Sequence, residues 1–409
     1  MIIKYSAEEF NVLEDSQVGH KKDDCLVATV EKVNWDTTIL VKELAKKLGI
    51  SHKGVGYAGL KDKRSRSIQK MSFYGVERDR LEELRLNDVS IIDIGRGDRI
   101  NIGDLNGNGF KIVVRGLKGD INAISRELSL RIDELNGWHG FINYFGYQRF
   151  GLQRPVTADV GKLLVKKDYE GAALAYIGKV YPDDPMGAAR QEFLDDMDFK
   201  RAYENFPVGL RYERAMLFSL AHEGSDFKGC FKALPERLLN LFVHGYQSKL
   251  FNEIVRRRTE KIPPNVAEMG DNIVSERFGR KATALVNKAN ITRVEKMVEK
   301  SVSVSAPLIG SRTILPKSTM GSISKDVMAE EGVTFDDFKN KEVRAFESSG
   351  TQREILARFS DLDHRLGQDD IFNGIKCDIS FYLKKGQYAT ELLRQLFGEE
   401  ALPYRDRII

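Results

Sequence analysis

Cysteine is scarce in this chain: three residues in 409 (Cys25, Cys230 and Cys377), far apart and odd in number. A disulfide framework and a CxxC metal ribbon are therefore excluded, and a reducing compartment fits best. Long apolar runs are missing as well. No stretch of about 18 uninterrupted apolar residues occurs, and the opening MIIKYSAEEF has no apolar h-region. We expect neither a membrane span nor secretion, and place the protein in the cytoplasm. The six histidines show no HExxH or paired-ligand spacing, so zinc hydrolysis is disfavoured and no metal is expected. There is no GxxxxGK loop followed by Ser or Thr for ATP, and no GxSxG elbow for a serine nucleophile. An excess of one charge is also lacking. Lys plus Arg number 64 against 60 Asp plus Glu, a net charge of +4 that permits a polyanionic partner without demanding one.

What is present builds cores. Hydrophobic residues make up 42% and charged residues 30%, the composition of a folded protein, and the length predicts two or three domains. Phe10, Val12 and Glu14 alternate, and Cys25 to Val33 is a β-branched run, so the first 35 residues read as strands. A helix follows, capped by Asp36, Thr37 or Thr38, with Leu40, Leu44 and Leu48 on one face and Gly49 as its stop. Residues 97 to 116 read as a β-hairpin, with Asn106-Gly107 and Asn108-Gly109 as turn residues. Ile121 to Leu135 carries a helical apolar stripe ended by Gly137. From Pro155 the pattern turns to helices: Val156 to Lys167, Leu210 to Glu223 and Glu236 to Arg258. Between the first two lies an acidic patch (Asp183, Asp184, Glu192, Asp195, Asp196, Asp198), read as a solvated face. Strand and helix return from Gly350, with Ile375 to Leu383 as a strand and Thr390 to Phe397 as a short amphipathic helix.

Gly54 to Gly59 satisfies GxGxxG, yet a helix precedes it and a basic, strand-like segment follows. Dinucleotide binding needs strand, turn, then helix, so no cofactor is assigned. The basic segment itself is unusual. Between Lys53 and Lys70 six cations surround a single carboxylate, Asp62, flanked directly by Lys61 and Lys63. Nearby positive charge favours the anionic form of Asp62, and cations at this density can hold phosphates, bringing a polyanion's sugar and base next to it. A solvated charged loop accounts for the same composition. The second constellation, Asn143 to Gly151, packs four aromatics, two amides and one cation into nine residues. Such a set suits an unstacked nucleobase, or a buried strand with a turn at Gly146. A third stretch, Arg256 to Lys300, holds eleven Lys or Arg against six carboxylates and reads either as a grip on a nucleic-acid backbone or as helix surface.

Taken together, Ala58-Gly59-Leu60-Lys61-Asp62-Lys63-Arg64, Asn143-Tyr144-Phe145-Gly146, Gln148-Arg149-Phe150-Gly151 and Gly386-Gln387-Tyr388-Ala389-Thr390-Glu391 resemble motifs of TruD, the tRNA pseudouridine synthase D family, in its archaeal form. Glu9 to Glu14 and Gln247 to Asn252 look like further family segments, all in the family's order. The resemblance implies cofactor-free isomerisation of a uridine in tRNA to pseudouridine, at position 13. By the same resemblance Asp62 is the catalytic aspartate, Lys61 and Lys4 support it in the active site, Asn143 and Phe145 sit against the target base, and Tyr388 belongs to its pocket. Lys63, Arg64, Arg66, Arg149, Arg256, Arg257 and Arg258 are the expected RNA contacts. The partner is tRNA, and the protein is expected to act as a monomer. The implied fold is α+β: a pseudouridine-synthase catalytic domain with a mixed, mainly antiparallel sheet at residues 1–154 and 346–409, and an inserted helix-rich α/β TRUD domain at 155–345. The shift to helices at Pro155 and back to strands at Gly350 supports that division independently. Two departures stand out: Lys384 and Lys385 precede the late motif's glycine, and the resemblance thins between Gly151 and Arg344.

An aspartate beside C1′ can attack the sugar, take a proton from C2′, or attack C6 of the uracil, and the residues do not choose among these. Because a stacked base is out of reach, the uridine must flip out, at a cost of a few kcal/mol. The rival readings are a non-catalytic tRNA-binding or remodelling protein and an RNA methyltransferase, for which residues 54–59 are a badly placed cofactor loop.

Overall fold

A computed structural model describes residues 1–409 except 152, 153, 183, 223, 225, 278, 279, 299, 300, 399–401 and 404–409. It divides into two compact units, one of Met1–Phe141 with Ala357–Ile409 and one of Ile142–Leu356. The two units meet in sequence at Phe141/Ile142 and Leu356/Ala357. The physical reason is local pairing: Thr351–Glu354 is a strand on Val302–Leu308, and Phe145 packs against Phe251, which draws both flanks into the second unit.

The first unit is built on a mixed sheet. Its main path uses β1 (Phe10–Asp15), β2 (Cys25–Val33), β3 (Arg66–Tyr74), β4 (Val89–Gly97), β5 (Gly107–Leu117), β6 (Phe359–Asp369) and β7 (Gly374–Lys384), in the order β6-β7-β5-β1-β3-β2-β4. Three short strands, Ile2–Ile3, Val55–Tyr57 and Leu402–Pro403, join it to make ten. Pairing is antiparallel except between β1 and β3 and between Ile2–Ile3 and Leu402–Pro403. Helix α1 (Thr37–Leu48) begins where the Asp36 carboxylate accepts from the amides of Thr38 and Ile39, and ends at Gly49 in the left-handed conformation. Its Leu40, Leu44 and Leu48 are buried with Leu26, Ala28 and Val30 of β2, each leucine contributing about 2 kcal/mol by leaving water. A second core joins Phe10, Val12, Ile112, Val114 and Ile379 of the sheet to α2 (Ile121–Gly137) and α3 (Ala389–Phe397).

No hairpin forms over 97–116. β4 pairs with β2, whereas β5 pairs with β1 and β7. The glycines that look like turn residues lie inside the β5 ladder. A Cβ on Gly107 would sit 2.3 Å from the Leu383 carbonyl oxygen and 2.5 Å from the Tyr382 hydroxyl, so glycine is required there by close approach rather than by a turn.

The second unit is helix-rich around a four-stranded antiparallel sheet, in the order Arg280–Leu285, Asn272–Arg277, Val302–Leu308, Thr351–Glu354. Its central element is the 24-residue helix Glu236–Thr259, which buries Phe242, Tyr246, Leu250, Phe251 and Ile254. The acidic patch is only partly a solvated face. The side chains of Asp184 and Glu213 are buried and share Arg190 and Arg154, with Arg190 Nε 2.9 Å from Asp184 Oδ2 and Arg190 Nη2 2.9 Å from Glu213 Oε1. Asp198 caps the helix Phe199–Asn205, and Asp183 lies outside the described residues, as do Glu223, Glu299 and Lys300 of the segments named above.

Candidate active site

Asp62 stands in the loop between the Val55–Tyr57 strand and β3, its side chain 49% exposed. One of its oxygens, Oδ2, lies 2.5 Å from Nζ of Lys4. Lys4 follows the strand Ile2–Ile3 and has a left-handed backbone, φ 58°. That conformation costs a non-glycine residue roughly 1–2 kcal/mol, and it delivers the side chain, 7% exposed, beneath Asp62 with the ammonium 4.2 Å above the Phe10 ring. The outcome is a carboxylate held by an ammonium on one side and open to solvent on the other.

Lys61 does not share that role. Its Nζ is 2.6 Å from Glu14 Oε2, with both side chains buried, so the expected Lys61–Asp62 pair is replaced by Lys61–Glu14. Residue 61 points inward where residue 62 points outward, and neighbours in sequence are thereby separated in space. The loop is fixed through its backbone. The Lys61 amide donates to Thr37 Oγ1 at 2.9 Å, and the Asp62 carbonyl accepts from Ser65 Oγ at 2.7 Å and from Lys32 Nζ at 3.1 Å. Lys32 is wholly buried and also donates to the Trp35 carbonyl at 2.5 Å. Burial pulls its ammonium down to about 8, against the opposing pull of the Asp62 and Asp36 charges.

Glu14 and Lys32 were not among the expected site residues, though strand alternation carries the signal for both. Glu14 shares the inward face of β1 with Phe10 and Val12, and Lys32 that of β2 with Leu26, Ala28 and Val30. A charge on an apolar strand face is a functional candidate by itself.

The expected RNA contacts fall into distinct environments. Lys63 is exposed, and its side chain has no hydrogen-bond or ion-pair partner among the described residues. Arg64 donates to the Tyr5 carbonyl at 2.6 Å, and Arg66 pairs with Glu31. At the end of the long helix, Arg256 pairs with Glu253 and Glu260, and Arg257 with Glu253 and Glu330. Arg258 is a correction. It is fully buried, and its guanidinium donates to the carbonyls of Ile262 and Val266 and faces Asp271, so it is a core residue closed to a nucleic acid.

In the second unit, Asn143 and Phe145 are both buried and meet on Arg353. The Asn143 Oδ1 accepts from Arg353 Nη2 at 2.6 Å, its Nδ2 donates to the Glu354 carbonyl, and the Arg353 guanidinium lies 4.1 Å over the Phe145 ring. Asn252 brackets the backbone of Phe145, accepting from its amide and donating to its carbonyl, each at 2.9 Å. Two family-like segments, Asn143–Gly146 and Gln247–Asn252, thus hold one another. Arg353 lies some two hundred residues along the chain, and nothing local in the sequence marks it. Arg149 donates from Nε to Ser248 Oγ at 3.2 Å. Tyr388, in the first unit, is the N-cap residue of α3 and half-buried. Gly56, of the rejected dinucleotide pattern, lies in the strand Val55–Tyr57, with no helix after it. No group of three or more His, Cys, Asp or Glu placed to hold a metal occurs among the described residues, and no described helix is long and apolar enough to cross a membrane.

The sequence model of the family described as tRNA pseudouridine synthase D (TruD) matches residues 1–396. The chain is 35% identical over 407 residues to the "probable tRNA pseudouridine synthase D" of Thermococcus sibiricus, covering 97% of this chain and 94% of that relative. To the protein of the same description from Methanococcoides burtonii it is 34% identical, covering 98% and 93%. Among solved structures it is similar to a crystal structure assigned as tRNA pseudouridine synthase D from Methanosarcina mazei, with a TM-score of 0.86, 33% identity, and 98% of this chain and 94% of that chain covered.

Proposed function

The chain belongs to the tRNA pseudouridine synthase D family, and from that premise we propose that it isomerises uridine 13 of tRNA, with Asp62 as the catalytic carboxylate. It is an enzyme, a tRNA pseudouridine synthase. The N1–C1′ bond breaks, the uracil turns while held, C5 bonds to C1′, the C5 hydrogen leaves to solvent and N1 takes up a proton. Lys4 positions Asp62 and supplies the opposing charge at 2.5 Å. Lys32, Ser65 and Thr37 fix the loop backbone, so the carboxylate approaches the ribose without reorganising. The family pattern assigns Asn143 and Phe145 of the second unit and Tyr388 of the first to the target base, and Lys63 offers a cation for a phosphate.

The observation that carries this reading is the pairing of a half-exposed Asp62 with a buried Lys4 delivered from a left-handed backbone position. Mapping pseudouridine in tRNA after incubation with the purified protein tests it. Modification at uridine 13, abolished in a transcript carrying cytidine there, is the expected result, and modification confined to another position overturns the site assignment.

A further inference from the structure

The second unit contains a cavity of about 570 Å³ that the proposed chemistry does not use, lined by Arg149, Glu236, Arg237, Asn240, Leu241 and His244. Five of these come from the first turns of the helix Glu236–Thr259, and Arg237, Asn240, Leu241 and His244 recur at the three-and-four spacing of one helix face. Ser248, one turn further on, accepts from Nε of Arg149 at 3.2 Å and so ties that guanidinium to the same face. The side chains of Arg237, Asn240 and His244 make no hydrogen bond or ion pair with any described residue. At the other end of the same helix the contrast is clear, because Arg256 and Arg257 are both held by carboxylates.

Three unpartnered polar side chains on one face, beside a fixed arginine, form a donor-rich and acceptor-poor recess. Arg supplies up to five donors, Asn two and neutral His one, whereas the only carboxylate present is Glu236. Burial and the Arg149 charge both lower the His244 imidazole from its ordinary value, consistent with the two groups facing one recess. A ligand that satisfies this set must be anionic and rich in acceptor oxygens.

We propose that this cavity binds a backbone phosphate of the RNA substrate, with Arg149 and Arg237 on the phosphate oxygens and Asn240 and His244 on the adjoining nucleotide. The proposal rests on the tRNA reading above and deepens it by giving the second unit a defined grip on the substrate. The group is a positioning contact and takes no part in bond exchange.

The test is the salt dependence of binding of a fluorescently labelled tRNA transcript to the full-length protein, for wild type, Arg237→Ala and Arg237→Lys, alongside pseudouridine formation by each. Arg237 is exposed, so neither variant disturbs a core. The expected result is about a tenfold loss of affinity for Arg237→Ala near physiological salt. Its log–log salt slope should become shallower by roughly 0.7–0.9, the value of one phosphate contact. Arg237→Lys keeps the slope, and kcat at saturating tRNA stays at the wild-type level in both. Unchanged affinity and slope in Arg237→Ala overturn the proposal, as does a loss of affinity with the slope intact, which marks a contact other than phosphate. If wild type binds tRNA with the Arg237-dependent slope yet forms no pseudouridine, the cavity stands and the enzymatic reading falls.

Discussion

Lys32 is a charge placed where the strand pattern puts a hydrophobic residue, and the two carbonyls it meets explain why it is tolerated. Its ammonium ties the Trp35 and Asp62 carbonyls together and so joins the start of α1 to the catalytic loop. Burial brings it to about 8 in the folded chain, below the value of roughly 10.4 expected when unfolded. Between those two pH values the unfolded chain holds the extra proton, so this residue makes stability rise with pH. Urea unfolding of wild type and Lys32→Met at pH 7 and pH 10 should show wild type gaining on the order of 3 kcal/mol relative to the variant; an unchanged difference contradicts the assignment. At this scale the sequence was half legible. Alternation along β1 and β2 marks Glu14 and Lys32 as inward charges. The partner of Asp62 was less easily found by adjacency, since Lys61 turns inward to Glu14 and the ammonium that reaches Asp62 comes from residue 4. Arg353 meets Asn143 and Phe145 only through tertiary folding.

At the scale of elements, periodicity identified what local forces decide. α1 begins at Asp36 and ends at Gly49 as the caps dictate, and β7 and α3 fall within a residue of the strand and helix read from the apolar pattern. The β5 glycines show where a local signal fails. Asn-Gly pairs favour tight turns, but glycine also serves where two backbones must approach, and sequence does not distinguish these uses. The two glycines give a direct comparison. Gly107→Ala forces a Cβ into the Leu383 carbonyl and should cost about 1–3 kcal/mol in a denaturation experiment. Gly109→Ala meets nothing closer than 3.9 Å and should cost well under about 1 kcal/mol. Equal losses for the two would refute the close-approach explanation.

At the scale of the whole molecule, a nearly balanced charge conceals strong local sorting. The net +4 says little, because several cations in the second unit are committed to carboxylates while others are not: Arg154 and Arg190 are held by Asp184 and Glu213, and Arg256 and Arg257 by Glu253 and its neighbours. In the stretch from Arg256 to Lys300, the first two arginines are held by carboxylates and Arg258 is buried, and a charge count reveals neither. The composition shifts at Pro155 and Gly350 both fall inside the unit Ile142–Leu356, whose flanks are held by pairing with its interior. The account as a whole turns on the carboxylate of Asp62, and one paired measurement addresses it most directly: tritium release from tRNA labelled at C5 of uridine, together with tRNA affinity, for wild type and Asp62→Asn. The loop is held by the Asp62 carbonyl rather than its carboxylate, so the variant should fold and bind tRNA within about threefold of wild type, a neutralised carboxylate removing a repulsion from phosphate. Release that disappears while binding persists is the predicted result, and tritium release by Asp62→Asn at the wild-type rate would contradict it.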